Sequence, residues 1–197
     1  MPSLLTELEI WNLALDVVRE TPLQSPTDQS AIARWLSRNY GHVRDVALRS
    51  YDWNFAREKH TLSVDATAPP FRWRYRYALP PHWLRLLPPT QYGQRGAPPI
   101  PHEVVRGGWV ETDWPSPLHV RLIMRVTNPG EYDPLFVELV RSSLALGIAN
   151  KFTAKNKYIE LASALQAAAQ EKAEEIDTFE GTAEPVEQHD IIRNRGV

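Results

Sequence analysis

The sequence predicts an α+β fold: a helical base of about four α-helices, an inserted small antiparallel β-rich lobe, and an extended C-terminal arm. Apolar residues recur at helical spacing near both ends of the chain and alternate with a period of two in its middle. Proline-rich joints divide that middle region into short segments. We therefore expect residues 1–56 and 129–176 to form one discontinuous helical domain, residues 57–128 the lobe, and residues 177–197 the arm.

The first two helices are predicted from their N-terminal signals. Thr6 and Glu9 have the spacing of a capping box, which places the start of the first helix near Glu7. Ser25 followed by Pro26 predicts the start of the second helix. The second helix has an apolar face at helical spacing, formed by Ile32, Leu36, Tyr40, Val43 and Ala47.

A different face of the second helix carries Arg34, Arg38, Asp45 and Arg49. A charged face of this kind is ordinarily solvated. The alternative interpretation is a docking surface for a neighbouring subunit.

The middle of the chain contains four strand-like stretches. Residues 60–64, 71–77 and 118–126 have period-two patterns, and residues 103–112 predict a hairpin whose Gly-Gly dipeptide supplies a two-residue turn. Short strands separated by stiff corners are typical of a small, twisted antiparallel sheet.

The stretch FRWRYRY at residues 71–77 alternates aromatic rings with arginines. Because successive side chains of a strand point to opposite faces, the rings should share one face and the arginines the other. A base-stacking surface needs rings and cations together, so we expect the rings to form the structural core of the lobe. A subunit interface through the arginines and direct nucleic-acid readout are the alternatives. The predicted core residues are Phe71, Trp73, Tyr75 and Tyr77.

The last two helices follow the lobe. Asp133 is placed to cap the third helix, with Pro134 at its first position. The fourth helix is predicted from about Lys157 to Ile176. We expect its buried side to consist of Tyr158, Leu161, Ala162, Leu165 and Ala169. The remaining residues show no periodicity, which favours an arm that a partner orders.

Composition excludes several classes of function. The net charge is −2, so no global basic field favours tight binding to DNA or membranes. The absence of cysteine excludes disulfides, thiol catalysis and cysteine-ligated zinc. The sequence contains no apolar run long enough for a transmembrane helix and no pattern of a signal peptide, which favours the cytoplasm as the place of synthesis and assembly.

No catalytic or cofactor motif is recognisable. Phosphate-binding glycine loops, the serine nucleophile pattern and the two-histidine zinc motif are absent, and the six histidines lack ligand spacing. The sequence therefore predicts no catalytic residue, no cofactor and no metal site. Only the hairpin acids, Glu111 and Asp113, are candidates for acid–base chemistry.

A series of motifs runs in order through about residues 5–175. They are Asp52, Trp53 and Phe55; Tyr77, Leu79 and Pro80; Leu84, Arg85 and Leu87; and Tyr132, Asp133 and Phe136. In this order they resemble the head-to-tail adaptor family, also called tail tubular protein A, of short-tailed bacteriophages and related prophages. The chain departs from that pattern at Pro81-His82, where relatives usually carry a small residue and an aspartate.

The resemblance implies a structural virion protein rather than an enzyme. Such adaptors form a dodecameric ring below the portal protein and continue the DNA channel to the tail nozzle or the next tail component. In the family the helices build the ring wall, and the β-rich lobe faces outward or toward the tail. Double-stranded DNA passes through without sequence-specific binding, and no membrane is involved.

The resemblance also suggests two sets of contact residues. In a closed ring, neighbours meet through two different, complementary patches. We expect Arg34, Arg38 and Arg49 to form one patch and Glu171 and Glu174 to belong to the other. The C-terminal arm is implied to reach the portal. Its candidate contact residues are Phe179, Ile191, Ile192, Arg193 and Arg195.

Two other functions compete with this interpretation. A tail-associated polysaccharide or cell-wall hydrolase would need two carboxyl groups about 5–10 Å apart in a groove, and only the hairpin lobe offers candidates. A DNA-binding module would use Arg72, Arg74 and Arg76.

Overall fold

The computed structural model describes residues 5–93, 97–153 and 155–179, with side chains described as far as Ala173. Within these ranges it contains α1 (Glu7–Val18), α2 (Ala31–Ser50), α3 (Pro134–Ile148) and α4 (Asn156–Phe179). The strands are β1 (Arg57–Leu62), β2 (Tyr75–Ala78), β3 (Trp83–Leu87), β4 (His102–Val105), β5 (Trp109–Thr112) and β6 (Leu118–Met124). The predicted α+β class is confirmed.

Two helix starts agree with the sequence signals. The Thr6 hydroxyl accepts a hydrogen bond from the Glu9 amide, and the Glu9 carboxylate accepts one from the Thr6 amide, which completes the capping box. Asp133 accepts a hydrogen bond from the Leu135 amide at 2.7 Å and caps α3, with Pro134 at the first helical position. These local bonds satisfy amides that the helices themselves leave unpaired.

The predicted start of α2 at Ser25 was wrong. The Ser25 hydroxyl instead accepts a bond from the Thr27 amide, and the Asp28 carboxylate accepts one from the Ser30 amide at 2.7 Å. Such side-chain bonds to nearby amides stabilise a turn in competition with a helix. The bonds from the backbone and side chain of Ser30 lower the pKa of Asp28. The helix begins only after Ser30, whose hydroxyl accepts from the Ala33 amide at 3.1 Å.

The main core lies between the helices, with α3 packed against α1, α2 and α4. Phe136 of α3 is fully buried and is surrounded by Trp53, Phe55 and Tyr132 at ring-centroid distances of 5.4, 5.2 and 4.8 Å. Near the other end of α3, Gly147 lies directly against the indole of Trp35, where a Cβ atom would approach to within 2.4 Å. The absence of a side chain at Gly147 therefore permits close packing of α2 on α3.

The lobe consists of two three-stranded antiparallel sheets, in the orders β1-β6-β3 and β2-β5-β4. Strand β6 contributes to two cores from its two faces. Leu122 packs in the lobe core with Tyr77 and Val110, whereas Ile123 packs in the helical core. The first sheet is therefore a middle layer between the helices and the second sheet.

The hairpin of β4 and β5 turns at two glycines with positive φ, Gly107 at 91° and Gly108 at 77°. The register pairs Val105 with Trp109, so three residues connect the strands rather than the predicted two. The side-chain-free glycines accommodate the left-handed backbone without strain.

The prediction that all four rings of FRWRYRY form the lobe core was wrong for Phe71, which is 78% exposed, and for Trp73, which does not pack against that core. Arg72 has a φ of 71°, and the Trp73 amide donates to the Phe71 carbonyl across it. This tight turn interrupts the alternation, so the strand begins only at Tyr75. Tyr77 is fully buried in the lobe core, whereas Tyr75 and Trp73 are half-buried.

Helix α4 is longer than predicted and packs differently. It continues to Phe179, since no glycine or proline occurs before Gly181, so residues 177–179 belong to the helix and not to an arm. It packs through Ala162, Ala169 and Ala173, and Leu161 lies beside this alanine face and is 43% exposed. The prediction that Leu161 is buried was therefore wrong.

No helix in the described parts of the chain is both long enough and apolar enough to cross a bilayer.

Candidate interaction surfaces

Arginines fasten the C-terminal half of α2 to the first sheet. Arg85 of β3 donates through Nη1 to the Ser50 carbonyl at 3.1 Å, and Arg49 of α2 donates in return to the Leu84 carbonyl. Cationic groups near a helix C-terminus also interact favourably with the helix dipole. Arg49 is exposed but already bound within its own subunit, so it is less available for the predicted docking patch.

Two ion pairs extend the same junction. Arg57 of β1 donates to Asp52 with a distance of 2.7 Å between Nε and Oδ1, and Arg125, just beyond β6, donates to Asp45 with 2.8 Å between Nε and Oδ2. Asp45 also accepts from Arg44, which is buried. Hydrogen-bonded pairs of this type fix orientation as well as distance. The helical base and the lobe are therefore joined by a defined set of contacts.

Arg34 and Arg38 lie on the exposed face of α2 as predicted. Arg38 donates through Nε to the Arg34 carbonyl at 3.1 Å, which holds its side chain along the helix. Within the described residues, neither guanidinium forms an ion pair with a carboxylate. Both border an open surface depression that also includes Asp28, whose carboxylate is bound to the Ser30 amide, and Gln29. This pair of arginines is the part of the predicted patch whose charge is available to a partner.

The acidic residues predicted to face the patch lie on α4. Glu171 is exposed. Glu174 is within the helix, but its side chain lies outside the described side chains. Of the predicted arm residues, Phe179 is the last residue of α4, whereas Ile191, Ile192, Arg193 and Arg195 lie outside the described residues. The pairing of these groups with a neighbouring copy or with a portal stays a prediction.

The turn at residues 69–74 exposes Phe71 to solvent, and contacts of the neighbouring Arg72 and Trp73 hold the turn in place. The Arg72 guanidinium stacks over the Trp73 ring at 4.9 Å and lies 3.5 Å from Glu103. The Trp73 indole donates to the same Glu103 carboxylate at 3.2 Å. An exposed aromatic ring on a supported loop is a suitable anchor for a protein partner. Sequence periodicity did not reveal it, because periodicity carries no information on the left-handed backbone at Arg72.

The carboxylates of the hairpin are bound to arginines. Glu111 is buried, and its Oε1 accepts from both Nε and Nη2 of Arg76 at 2.9 and 2.7 Å. Glu103 lies directly opposite Glu111 on the neighbouring strand. Asp113 accepts from the Arg74 amide. These bonds link strands and loops of the lobe, and they leave Arg74 as the one arginine of the three in FRWRYRY whose side chain has no described acidic partner.

The interior of the helical base holds a polar pair of tyrosines. Tyr40 and Tyr132 lie close to Arg44, and burial raises the pKa of each phenol. Both tyrosines therefore stay neutral in the physiological range. The Tyr132 hydroxyl donates to the Val126 carbonyl at 3.2 Å, which ties the start of α3 to the end of the lobe.

Among the described residues, no group of three or more His, Asp or Glu side chains is arranged to hold a metal ion. The chain matches no protein-family model and no curated protein. The functional interpretation therefore depends on the motifs and on the geometry described above.

Proposed function

We propose that the protein is a head-to-tail adaptor of a bacteriophage or related prophage. Copies of the chain form a ring, dodecameric in the family that the motifs resemble, which joins the portal protein to the tail and continues the DNA channel. Its partners are the portal, the tail nozzle or next tail component, and further copies of itself. Its location is the connector region of the virion, after assembly in the host cytoplasm.

The main observation in support of this proposal is that the lobe is inserted between the two halves of one helical domain. The helical core is built from α1 and α2 before the lobe and from α3 and α4 after it. This is the organisation that the resemblance implies, with the helices as ring wall and the lobe as an outward or tailward projection. The arginine contacts between α2 and the first sheet hold the helical base and the lobe in one orientation. A connector that stays intact while DNA passes through it needs such a junction.

The charge distribution is consistent with a ring through which DNA passes. Arg34 and Arg38 offer an exposed positive patch, and Glu171 an exposed negative group on a different helix. Two unlike patches on one chain are what a head-to-tail contact between copies needs. The net charge of −2 keeps non-specific attraction to the DNA backbone low, so moving DNA is not strongly retained.

Charge reversal at Arg38 tests the predicted subunit contact. We expect Arg38→Glu to weaken ring assembly on the portal, because it places a negative charge opposite the acidic patch of the neighbour. The measurement is the fraction of portal particles that carry a complete ring in negative-stain electron micrographs, at several salt concentrations. The matched control is Arg106→Glu, which makes the same charge change at an exposed position of the hairpin turn.

Unchanged ring occupancy with Arg38→Glu would remove this patch from the interface. Equal losses for Arg38→Glu and Arg106→Glu would indicate a general charge effect rather than a specific contact.

A further inference from the structure

A cavity of about 300 Å³ lies on the helix-facing side of the first sheet, beyond the part that the helices cover. Lys59 of β1 and Arg121 of β6 are directly opposite each other in the antiparallel register, so their side chains leave the same face. Both line the cavity. The other lining residues are His60, Thr61, Pro88, Pro89, Thr90, Tyr92, Gly93, His119 and Val120.

Among the described residues, no carboxylate pairs with either cation of this cavity, although its lining residue His60 lies 3.0 Å from Glu58. None of its lining residues is an aspartate or glutamate. Within the described residues, the side chains of Lys59 and Arg121 have neither an ion pair nor a hydrogen bond. Like charges directly opposite on neighbouring strands destabilise a sheet. The stability of the sheet therefore does not explain why Lys59 and Arg121 lie opposite each other.

Two other arginines on the first sheet, in contrast, are bound to acceptors within the protein. Arg57 is bound to Asp52, and Arg85 donates to the Ser50 carbonyl. Both partners come from the end of α2 or the segment after it, which does not reach the cavity. The contrast shows that the described residues supply no partner for Lys59 and Arg121, which leaves both cations available to a ligand.

Other groups at the cavity suit an anion. His119 and Thr61, also directly opposite each other, are joined by a 3.1 Å contact between Nδ1 and Oγ1 that fixes the imidazole ring. The loop at Gly93 lies close to this ring, since a Cβ atom at Gly93 would be 3.4 Å from the His119 Cβ. Pro88 and Pro89 form a stiff wall. Lys59 is exposed and Arg121 half-buried, so the two cations border a depression that is open to solvent.

We propose that this cavity is a binding site for a phosphate-class oxyanion, held by Lys59 and Arg121. A guanidinium presents a planar set of donors that matches phosphate oxygens, and an ammonium adds a compact charge. A phosphate monoester carries about −1.5 to −2 charges near neutral pH, close to the sum of the two cations. Each phosphate of the DNA backbone carries about one negative charge and would neutralise them only in part. The site does not depend on the proposed adaptor function. Its occupant is either free phosphate or a phosphate of the DNA backbone, and the experiment distinguishes these sources.

The first measurement is isothermal titration of the full chain with inorganic phosphate at constant ionic strength, with chloride as the competing anion. We expect saturable binding at one site. The double variant Lys59→Gln, Arg121→Gln should weaken binding at least tenfold, and Arg106→Gln, an exposed control, should leave it unchanged. Without phosphate, the double variant should melt at the same or a higher temperature than the wild type, because it removes the repulsion between the two cations.

The second measurement is binding of a short DNA duplex as a function of salt concentration. If the DNA backbone is the natural source, the wild type binds the duplex and the double variant reduces the salt slope by about one, because one backbone phosphate is no longer neutralised. If free phosphate is the source, phosphate binds and the duplex does not. Absence of binding in both titrations would overturn the proposal, as would equal binding by the wild type and the double variant.

Discussion

Phe136→Ala should lower the free energy of unfolding by about 3–5 kcal/mol, which is the usual loss for a fully buried phenylalanine. Phe136 is completely inaccessible and lies at the centre of the aromatic cluster with Trp53, Phe55 and Tyr132. Truncation removes buried apolar area and edge-to-face ring contacts together. The surrounding rings are large and are held by two separate segments, residues 53–55 and Tyr132, so they cannot collapse fully into the space.

Urea unfolding monitored by tryptophan fluorescence measures this loss. Leu161→Ala is the control, because Leu161 lies on α4 but is 43% exposed, and its loss should not exceed about 1 kcal/mol. A loss below about 1 kcal/mol for Phe136→Ala would show that the ring is not the centre of the helical core.

Tyr77→Ala should destabilise the lobe by about 3–5 kcal/mol, whereas Phe71→Ala, six positions earlier in the same stretch, should be nearly neutral. Tyr77 is fully buried, and its hydroxyl donates to the Trp114 carbonyl at 2.8 Å. Phe71 is exposed on the turn that Arg72 forms. The two substitutions remove a similar aromatic ring from opposite environments.

Hydrogen exchange of the β2 and β5 amides, together with thermal unfolding, distinguishes the two variants. Tyr77→Phe removes only the hydroxyl and its hydrogen bond, and it should lower the free energy of unfolding by about 1 kcal/mol. Equal destabilisation by Tyr77→Ala and Phe71→Ala would restore the original expectation that all four rings form one core. A neutral Phe71→Ala that reduces binding to a tail component would identify Phe71 as a contact residue.

The four helices and most strands, though not β3, could be predicted because they follow from local chemistry. The capping box of Thr6 and Glu9 and the Asp133-Pro134 start of α3 involve bonds within a few residues of one another. The alternation in β6 also predicted its two faces, of which one carries Leu118, Val120 and Leu122. Each of these features depends only on residues that are close together in the sequence.

The errors arose where two local structures compete or where packing decides. Ser25-Pro26 fits a helix start, but the hydrogen bond from the Ser30 amide to Asp28 favours a turn. A strand over FRWRYRY fits the alternation, but the left-handed Arg72 ends it early. Leu161 is more exposed than predicted because α4 packs through alanines, which allow a closer approach of the helices than leucine does.

The candidate sites were predictable only in part. The exposure of Arg34 and Arg38 follows from helical spacing. The engagement of Arg49 with Leu84, and the opposition of Lys59 and Arg121, depend on which strands pair and in which register. Contacts between residues so distant in the sequence are invisible to spacing, which is why the basic cavity was not anticipated.

The most direct test of the adaptor proposal is multi-angle light scattering, followed by electron microscopy, of this protein mixed with the portal protein encoded in the same genome. The proposal predicts a complex whose added mass is a whole multiple of the 22.5 kDa chain, with ring symmetry coaxial with the portal. Separate elution of the two proteins, with no ring on the portal at any salt concentration, would contradict it.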